Sequence, residues 1–482
     1  MLNPITYAEK TVGDFLRYQL SAYPFADADL HAQMRALLSL EQTRATPLMK
    51  GPYVSLSRSF RQGATVKDLV AEGILHPHLA TLAPYSSVYG HQEKAIRAIQ
   101  SGKPTLVSTG TGSGKTECFL YPIISRCLEL RDEGSPEGVV AVVVYPMNAL
   151  AEDQLTRLRG LLAGSGISFG MYVGKTPEKT KDVTGVRLPA GASKADYLSA
   201  LEKAVQQKQT RAVHPPEERV SREQMRIPGQ QPRILLTNVK QLELLLTRQK
   251  DVELFDGSQL DFLVFDEAHT FSGANGAETA CLIRRLRAFC ARGPEDTVCV
   301  ATSATIADPD RGPEAGRDFA ARFFGVDGEA VELVSEEYAP DLWAEERTTT
   351  PGLPGDPAVQ LQNVLEAVGG VAQEPPEPHA LKQLKAVFQT MTGSPLDLKR
   401  WQESLYDRLS SNEVVFQIAQ ALEKPRPLAA LLAELAENLG RTVPEEEVRA
   451  WRALGAASRR GGRPLLRPVG HAFVRGVDGA VV

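Results

Sequence analysis

The sequence has few cysteines, no long apolar run and no excess of basic residues. Its five cysteines never have Cys-x-x-Cys spacing, which argues against a zinc site or a disulfide framework. We therefore expect buried free thiols at Cys118, Cys127, Cys281, Cys290 and Cys299. No uncharged apolar stretch approaches the roughly 18 residues of a membrane-spanning helix, and the first residues lack the features of a signal peptide. The expectation is a cytoplasmic protein that does not bind membranes.

The net charge of −5 excludes a chain that is basic throughout. Any contact with nucleic acid must therefore come from local patches and from backbone N–H groups. With 43% hydrophobic and 23% charged residues, the composition is that of an ordinary globular protein. The length of 482 residues predicts about three domains.

The hydrophobic pattern changes twice along the chain. Residues 1–80 show helical spacing and are predicted to form an N-terminal helical segment, with an irregular stretch from Met49 to Gly63. Residues 81–335 alternate short apolar runs with amphipathic stretches, which predicts an α/β domain with a parallel sheet covered by helices on both faces. The predicted strands are Thr105–Ser108, Val139–Tyr145, Ile234–Thr237, Phe262–Phe265 and Val298–Ala301.

The remaining regions lack this alternation. The interval 180–231 is charged and rich in Gln, and we interpret it as an insertion that is partly helical and partly mobile. Residues 340–460 have helical spacing only, which predicts an all-helical accessory domain. Within it, Thr442–Glu445 has the pattern of a capping box that opens a helix at Glu446. Residues 461–482 are predicted to form an extended tail.

The strongest motif runs from Thr105 to Thr116 and reads Thr-Leu-Val-Ser-Thr-Gly-Thr-Gly-Ser-Gly-Lys-Thr. An apolar strand, a Gly-rich loop and a helix start in this order form a phosphate-binding loop, in which backbone N–H groups face the anion. The Lys115 side chain would reach the terminal phosphates, and the Thr116 hydroxyl would hold Mg²⁺. The chain has threonine at the first Gly position of the G-x-x-x-x-G-K-[ST] pattern. The predicted nucleotide-binding residues here are Thr109, Gly110, Thr111, Gly112, Ser113, Gly114, Lys115 and Thr116.

A second motif, Phe262 to His269, places two carboxylates at the end of an apolar strand. In ATPases with a phosphate-binding loop, the carboxylate at the strand tip holds Mg²⁺, and we assign this role to Asp266. The adjacent Glu267 would orient the attacking water or accept its proton. His269 follows, where it would connect the site to another domain. The predicted catalytic residues are Lys115, Asp266, Glu267 and His269.

Weaker signals fall at two strand-to-helix junctions in the expected order. The first is Val143–Gln154, where the helix start at Asn148 would meet a phosphate backbone. The second is Leu235–Lys240, where Thr237 and Asn238 would hydrogen-bond to phosphate oxygens.

Two further segments complete the predicted nucleotide site. Gln92 would recognise adenine through its amide, with Tyr85 or Tyr89 stacking on the base. Downstream, the hydroxyls of Ser303 and Thr305 would link the nucleotide to a second lobe.

Taken together, these segments resemble the motifs of a superfamily 2 helicase of the DEAH type. Motifs Q, I, Ia, Ic, II and III correspond to Gln92, Thr109–Thr116, Tyr145–Gln154, Leu235–Asn238, Asp266–His269 and Ser303–Thr305. The wording of motifs I and Ia is similar to that of large bacterial DNA helicases, Lhr-like and mitomycin-repair-like, several of which act in DNA repair or anti-phage defence systems. Asn148 replaces the basic residue common in motif Ia. The phosphate contact of that basic residue would therefore pass to Asn148 or to a neighbour.

The resemblance implies a RecA-like fold, ATP and Mg²⁺ as cofactors, and ATP-driven translocation along one DNA strand, usually 3′ to 5′. The implied partners are single-stranded DNA, or duplex DNA with a single-stranded region, and accessory proteins of a multi-gene system. Two alternatives remain open at this point. The first is an ATP-gated clamp or scaffold that uses region 355–460 to recruit partners without unwinding. The second is an RNA helicase.

The second lobe of such enzymes carries a Gln-x-x-Gly-Arg-x-x-Arg motif, whose arginine stabilises transition-state charge. The sequence does not contain this motif. Arg459-Arg-Gly-Gly-Arg463 is superficially similar, but its composition is typical of a flexible basic linker. We hypothesise that the chain is the N-terminal portion of a longer helicase.

Overall fold

The computed structural model describes residues 14, 17–18, 20–21, 26–38, 49–110, 112–206, 212–304, 312–339, 343–372, 378–423 and 426–474. The chain divides into two compact units. Residues Phe60–Ala339 form the first, here called the central unit. Residues Met1–Ser59 and Pro340–Val482 form the second, here called the split unit. Within the described ranges, no helix combines the length and the apolar character needed to cross a membrane.

The elements alternate in the central unit and become mainly helical after it. The strands are β1 Met49–Leu56, β2 Gln62–Thr65, β3 Ser87–Tyr89, β4 Thr105–Ser108, β5 Ala141–Tyr145, β6 Phe169–Met171, β7 Val186–Arg187, β8 Val213–His214, β9 Glu218–Arg219, β10 Ile234–Asn238, β11 Phe262–Phe265, β12 Val298–Ser303, β13 Glu332–Ser335, β14 Arg426–Pro427 and β15 Pro468–Val474. The helices are α1 Ala28–Leu38, α2 Val66–Ala71, α3 Leu79–Leu82, α4 Gly90–Gln100, α5 Lys115–Asp132, α6 Asn148–Leu162, α7 Lys194–Gln206, α8 Arg222–Met225, α9 Val239–Leu245, α10 Gly273–Phe289, α11 Gly312–Phe324, α12 Pro357–Val371, α13 Pro378–Thr392, α14 Trp401–Ser410, α15 Glu413–Ala421, α16 Leu428–Leu439 and α17 Glu445–Ala457.

The central unit is built on an eight-stranded sheet in the order β13-β4-β12-β11-β5-β10-β6-β9. Every neighbouring pair in it is parallel. Parallel strands joined by helices bring their carboxyl ends to one edge, where ligands of such sheets bind. The predicted fold class, a RecA-like parallel sheet covered by helices, is confirmed.

Side chains of the sheet pack into two hydrophobic clusters, as expected for a sheet covered on both faces. Along β5, Val143 and Tyr145 belong to one cluster, whereas Val142 and Val144 belong to the other. This alternation explains why the strand is apolar at every position.

The interval 180–231 contributes regular structure to the central unit. Its strand β9 pairs with β6 and becomes the edge of the main sheet, while α7 packs beside β8. A buried ion pair holds this region together, because Arg159 of α6 donates two 2.7 Å hydrogen bonds to Glu218. Arg159 and His214 lower the pKa of Glu218 although burial of that carboxyl opposes the shift.

The prediction of five buried thiols is partly wrong. All five cysteines are free, and Cys118, Cys127 and Cys299 are buried. Cys281, however, is exposed, and Cys290 is half-buried. Burial raises the pKa of Cys290 to about 11, so this thiol stays protonated at neutral pH. Among the described residues, no cluster of three or more His, Cys, Asp or Glu side chains is arranged to hold a metal.

The split unit joins residues that are far apart in the sequence. Strand β1 lies between β14 and β15 in a three-stranded antiparallel sheet, with Leu56 paired to Pro468 and Val54 to Gly470. The prediction of an irregular stretch from Met49 to Gly63 is therefore wrong. Its strand character comes from pairing with distant segments, and the local pattern gives no sign of it.

Helices α12 to α17 pack into one hydrophobic cluster that includes Trp451 and Val54. Helix α17 begins at Glu445 after Pro444, and no side chain caps it. The predicted Thr442–Glu445 capping box is therefore wrong. The helix starts with three consecutive glutamates, whose charge favours the N-terminus of a helix dipole.

The segment Arg459–Arg463 is a closed turn, so its interpretation as a flexible linker is wrong. Arg460 and Arg463 exchange backbone hydrogen bonds of 2.9 and 3.1 Å. Between them, Gly461 and Gly462 have φ values of 57° and 78°, which side-chain-bearing residues rarely adopt. The Arg460 guanidinium pairs with Asp407, which further fixes the turn.

Replacing Arg441 with alanine is expected to destabilise the split unit by about 3–5 kcal/mol. Glu447 is completely buried and accepts hydrogen bonds of 2.6 and 2.9 Å from Arg441 and one of 3.2 Å from Trp451. Without Arg441, a carboxylate is left buried without its counter-charge. All three tryptophans of the sequence lie in the split unit, so urea unfolding followed by tryptophan fluorescence reports on it selectively.

The matched control is Arg400→Ala. This guanidinium is 72% exposed and pairs with Glu403 on the surface, where an ion pair contributes at most about 1 kcal/mol. Equal losses for the two variants would contradict the assignment of the Glu447 pair as a buried, stabilising contact.

Candidate nucleotide and nucleic-acid site

The loop between β4 and α5 has the geometry of a phosphate cradle. Gly112 and Gly114 have φ values of 78° and 76°, which allow the tight turns. The loop is fastened internally by a 2.7 Å hydrogen bond between the hydroxyls of Thr109 and Ser113. Helix α5 starts at Lys115, so its first N–H groups face the loop, as in other anion sites at helix N-termini. The predicted residue Thr111 lies outside the described residues.

Lys115 joins the phosphate loop to the acidic motif. Its Nζ atom lies 3.3 Å from the carbonyl oxygen of Thr109 and 3.4 Å from Oε1 of Glu267. The lysine side chain is only 10% exposed, so this ion pair is shielded from solvent. Two residues 152 positions apart, Lys115 and Glu267, thus meet at the carboxyl edge of the sheet.

Asp266 follows β11 directly and is held by Thr302 of β12. Because Phe265 pairs with Ala301 in the parallel register, the next residues of the two strands also lie side by side. The Thr302 hydroxyl donates to Oδ1 of Asp266 and accepts a 3.2 Å hydrogen bond from the backbone N–H of Glu267. Burial raises the pKa of Asp266, and the bond from Thr302 opposes that shift.

Thr302 is a site residue that the sequence did not predict. The predicted residues Ser303 and Thr305 lie one and three positions further along the chain. Strand register places Thr302 beside Asp266, and register cannot be read from a single sequence.

Glu267 has a left-handed backbone, with φ 51° and ψ 48°. This conformation is uncommon outside glycine and costs free energy that the surrounding contacts must offset. Its carbonyl accepts hydrogen bonds from the backbone N–H and the hydroxyl of Thr270, at 3.0 and 2.8 Å. Its carboxylate lies between Lys115 and His269, whose Nδ1 is 3.4 Å from Oε2. The predicted catalytic residues are therefore neighbours in space.

Ser303 contacts the phosphate loop through its backbone. The residue is buried, and its carbonyl accepts a 3.0 Å hydrogen bond from the N–H of Thr109. This bond couples the end of β12 to the start of the loop. Thr305 lies outside the described residues.

A cavity of about 490 Å³ adjoins the phosphate loop. Gln92 lines it, and its amide is fixed at both ends, since Oε1 accepts from the N–H of Tyr89 at 2.7 Å and Nε2 donates to the carbonyl of Gly114 at 2.8 Å. Tyr85, which is 61% exposed, stands at the cavity wall. The lining residues are Gln62, Pro84, Tyr85, Ser86, Ser87, Tyr89, Gln92, Gly112, Gly114 and Glu117.

The residues predicted to contact nucleic acid lie at the ends of β5 and β10. Asn148 begins α6, and its Oδ1 accepts a 2.7 Å hydrogen bond from Nδ2 of Asn238. Asn238 also caps α9 by accepting from the N–H of Gln241 at 2.8 Å. Thr237 is completely buried, and its hydroxyl donates to the carbonyl of Tyr172 at 2.8 Å. Asn148 and Asn238 therefore form a surface pair, and Thr237 lies beneath it.

A carboxylate from the end of the central unit reaches the mouth of the phosphate loop. Glu336, just after β13, accepts a hydrogen bond from the backbone N–H of Gly110. The next residue, Glu337, is paired with Lys94 and with Arg61, and these contacts lower its pKa. This contact could not be predicted from the sequence, because it joins residues 226 positions apart.

Comparison with known families decides what this site belongs to. Residues 89–191 and 186–311 match the DEAD/DEAH box helicase family. The central unit carries a DEAD/DEAH box helicase domain. The resemblance to superfamily 2 helicases that the motifs indicated is confirmed, and the matched residues contain the phosphate loop, the Asp266–Glu267 pair and Asn148.

Two relatives are similar over more than half of this chain. The Druantia protein DruE of Escherichia coli (strain UMEA 4076-1) is 29% identical over 386 residues, covering 64% of this chain and 21% of the relative. The uncharacterized ATP-dependent helicase YprA of Bacillus subtilis (strain 168) is 28% identical over 253 residues, covering 52% and 26%. The chain thus spans about a fifth to a quarter of the length of these relatives.

Among solved structures, the DUF1998 helicase MrfA bound to DNA is similar with 21% sequence identity and a TM-score of 0.39. The similarity covers 72% of this chain and 39% of MrfA. The fold assignment of the helicase domain rests on the sheet topology described above.

Proposed function

We propose that the chain is the N-terminal motor lobe of an ATP-dependent DNA helicase or translocase. The observation that carries the proposal is the meeting of Lys115 with Glu267, beside Asp266, at the carboxyl edge of the sheet. A phosphate cradle, a cation for the terminal phosphates and a pair of carboxylates are the parts that phosphoryl transfer to water requires. A cytoplasmic location and a role in DNA repair or anti-phage defence belong to the same proposal.

The residues present fit a magnesium ion with ATP. A carboxylate and a hydroxyl are hard oxygen donors, and Asp266 and Thr116 supply them. Burial raises the pKa of Asp266, and a cation bound beside this carboxyl would favour its ionised form. Asp266 and Thr116 would hold Mg²⁺, which would neutralise charge that develops on the phosphates.

The hydrolytic step is assigned to side chains that the structure brings together. Lys115 would bind the terminal phosphate, and Glu267 would orient the attacking water and accept its proton. The carboxylate of Glu267 needs a fixed direction for this role, and its backbone bonds to Thr270 and Thr302 supply it. Nδ1 of His269 lies 3.4 Å from Oε2 of Glu267, and His269 would connect this carboxylate to a second lobe.

The nucleic-acid contact is assigned to the start of α6 and the end of β10. No side chain caps α6, so its first N–H groups are available to a phosphate. The Asn148–Asn238 amide pair lies beside them and retains donors and acceptors for backbone oxygens. The preference for DNA over RNA rests on the wording of motifs I and Ia, and accessory proteins of a multi-gene system are proposed as partners.

The experiment that tests the proposal is steady-state ATP hydrolysis by the chain with single-stranded DNA, duplex DNA or RNA, with nucleotide binding measured in parallel. ATP binding that DNA strengthens more than RNA supports the proposal, with or without turnover by this lobe. Stimulation by RNA alone would replace it with an RNA helicase. Binding of DNA without strand separation in an enzyme with both lobes would favour a clamp.

Replacing Glu336 with alanine is expected to tighten ATP binding by roughly fivefold to tenfold. The Glu336 carboxylate occupies the N–H of Gly110 and repels the triphosphate, and charges a few ångströms apart at a protein surface interact by about 1 kcal/mol or more. Competition with a fluorescent ATP analogue gives the dissociation constants. Glu332→Gln, at the start of β13 where the carboxylate pairs with Lys103, is the control. Weaker binding by Glu336→Ala would mean that Glu336 supports the loop.

A further inference from the structure

A dense group of arginines lies near the end of the described chain. Residues 449–467 include six arginines and no Asp or Glu, although the whole chain has a net charge of −5. The six are Arg449, Arg452, Arg459, Arg460, Arg463 and Arg467. None of them belongs to the nucleotide site or to the nucleic-acid contact assigned to the central unit. A local excess of positive charge on an acidic protein points to an anionic partner.

The segment Arg459–Arg463, here called the basic turn, is held in one conformation. Backbone hydrogen bonds between Arg460 and Arg463 close it. The Arg460 guanidinium pairs with Asp407 of α14 and lies over the ring of Tyr406, 4.8 Å from its centre. Arg460 therefore fastens the turn to α14. A turn that is already ordered loses little conformational entropy when it binds a ligand.

The other two arginines of the basic turn have donors to spare. Arg459 is exposed, and its guanidinium donates one hydrogen bond, from Nη1 to the carbonyl of Gly462 at 3.1 Å. Arg463 is also exposed, and within the described residues no carboxylate or carbonyl accepts a bond from its guanidinium. A guanidinium carries five N–H donors in a planar fork that fits two oxygens of a phosphate. Both side chains can therefore bind a phosphate group without breaking an ion pair.

The tip of the basic turn is open to a ligand. Gly461 and Gly462 are exposed, and a Cβ atom added at either position would meet no atom within 4 Å. Their backbone N–H groups donate to no acceptor in the described part of the chain. Because neither residue has a side chain, a ligand can approach the backbone closely. The tip thus offers backbone donors beside the guanidinium groups.

A buried arginine adds to the positive potential near the basic turn. Arg452 lies in α17, the helix that leads into the turn, and is only 6% exposed. Burial and the neighbouring Arg449 lower the pKa of Arg452 to about 10, so it stays charged at neutral pH. No described carboxylate pairs with it, so its field is not cancelled locally. Arg452 therefore attracts an anion to this region without contacting it.

We propose that the basic turn binds the phosphate backbone of a nucleic-acid strand, through the guanidinium groups of Arg459 and Arg463 and the N–H groups of the two glycines between them. The inference rests on the proposed function, since it assumes that the chain works on such a strand. Phosphates fit this surface because they recur along a strand and each offers two oxygens to an arginine fork. The contact reads no base, so it is independent of sequence and common to DNA and RNA. This site is separate from the Asn148–Asn238 pair of the central unit.

The test measures the binding of fluorescein-labelled oligothymidylate to the full chain by anisotropy, over a range of KCl concentrations and without nucleotide. In Arg459→Gln/Arg463→Gln, the affinity is expected to fall about fivefold to twentyfold, the range for two exposed ion pairs. The logarithm of the association constant falls linearly with the logarithm of the salt concentration. This slope is expected to become shallower by about 1.4, since each lost phosphate contact on a single strand removes about 0.7. Labelled oligouridylate is expected to show the same losses.

Two matched variants separate this role from a general effect of charge. Arg459→Lys/Arg463→Lys keeps both charges and is expected to retain the wild-type slope, because the slope counts neutralised phosphates. Arg285→Gln/Arg317→Gln removes two exposed arginines from α10 and α11 of the central unit and is expected to leave the affinity and the slope unchanged. Tryptophan fluorescence during urea unfolding verifies that the split unit of each variant is folded.

Three results would overturn the inference alone: wild-type affinity in Arg459→Gln/Arg463→Gln, an equal loss in the central-unit control, or weaker binding with an unchanged slope. The last result would indicate a structural effect. Displacement of the strand by poly-glutamate as readily as by unlabelled oligothymidylate would instead assign the turn to an acidic protein.

The same measurement distinguishes failure of the inference from failure of the proposed function. If the wild type bound neither strand, the nucleic-acid contact of the proposed function would be wrong as well. Because nucleotide is left out, a chain that binds the strand through the basic turn but does not bind ATP would overturn the proposed motor function alone.

Discussion

Glu267→Gln is expected to bind ATP like the wild type and to hydrolyse it at least about a hundredfold more slowly, the usual loss when a general base is removed. Glutamine has nearly the same shape, so the backbone contacts of Glu267 with Thr302 and Thr270 are retained. What the variant loses is the negative charge that lies 3.4 Å from Lys115 and that, in the proposed mechanism, accepts the proton of water. Binding survives because the phosphate loop itself is unchanged.

Single-turnover hydrolysis and equilibrium binding, measured on a form of the enzyme that turns over ATP, separate the two effects. Glu278→Gln, an exposed carboxylate on the neighbouring helix α10, is the matched control and is expected to leave both quantities unchanged. Turnover of Glu267→Gln at the wild-type rate would show that another residue orients the water.

Lys115→Ala is expected to abolish ATP binding or turnover. Lys115 is the cation of the phosphate loop, its Nζ is shielded from solvent, and no other lysine or arginine among the described residues is paired with Glu267. Without it, the triphosphate meets the carboxylates of Asp266 and Glu267 with no compensating positive charge from the loop. The loss is large because charge-assisted contacts are stronger when they are shielded from solvent, and the Lys115 side chain is only 10% exposed.

Calorimetric titration with a non-hydrolysable ATP analogue measures this loss directly. Lys103→Ala provides the control, since Lys103 lies just before β4, at the end of that strand away from the phosphate loop, and pairs with Glu332 of β13. If Lys115→Ala retained both wild-type affinity and wild-type turnover, the phosphate loop would have to be located elsewhere.

Much of the central sheet could be predicted because its strands are apolar at every position. The bounds of β4 and β11 match the predicted Thr105–Ser108 and Phe262–Phe265, and β12 extends two residues beyond the prediction. The short strands β6 and β9 were missed, because two or three residues carry too little pattern. Candidate site residues that follow a strand end, such as Lys115 and Asp266, could be predicted for the same reason.

Contacts that depend on register or on distant pairing were not readable. Thr302 meets Asp266 only because β11 and β12 pair in one register, and Glu336 reaches Gly110 from 226 residues away. The strand β1 could not be predicted, because its partners, β14 and β15, lie near the other end of the chain. The local sequence indicates which secondary structure a segment can form, whereas these contacts depend on distant segments of the chain.

The pairing of β1 with β15 also sets an order for synthesis on the ribosome. The central unit is encoded by one continuous stretch, residues 60–339, and every strand of its sheet is translated before α12. Strand β1 is made before that stretch, yet β15, with which it forms its longest pairing, is among the last described residues. Domains generally fold as units during translation. The nascent chain therefore completes the central unit first. Strand β1 lacks its longest pairing partner until residues 468–474 have been translated.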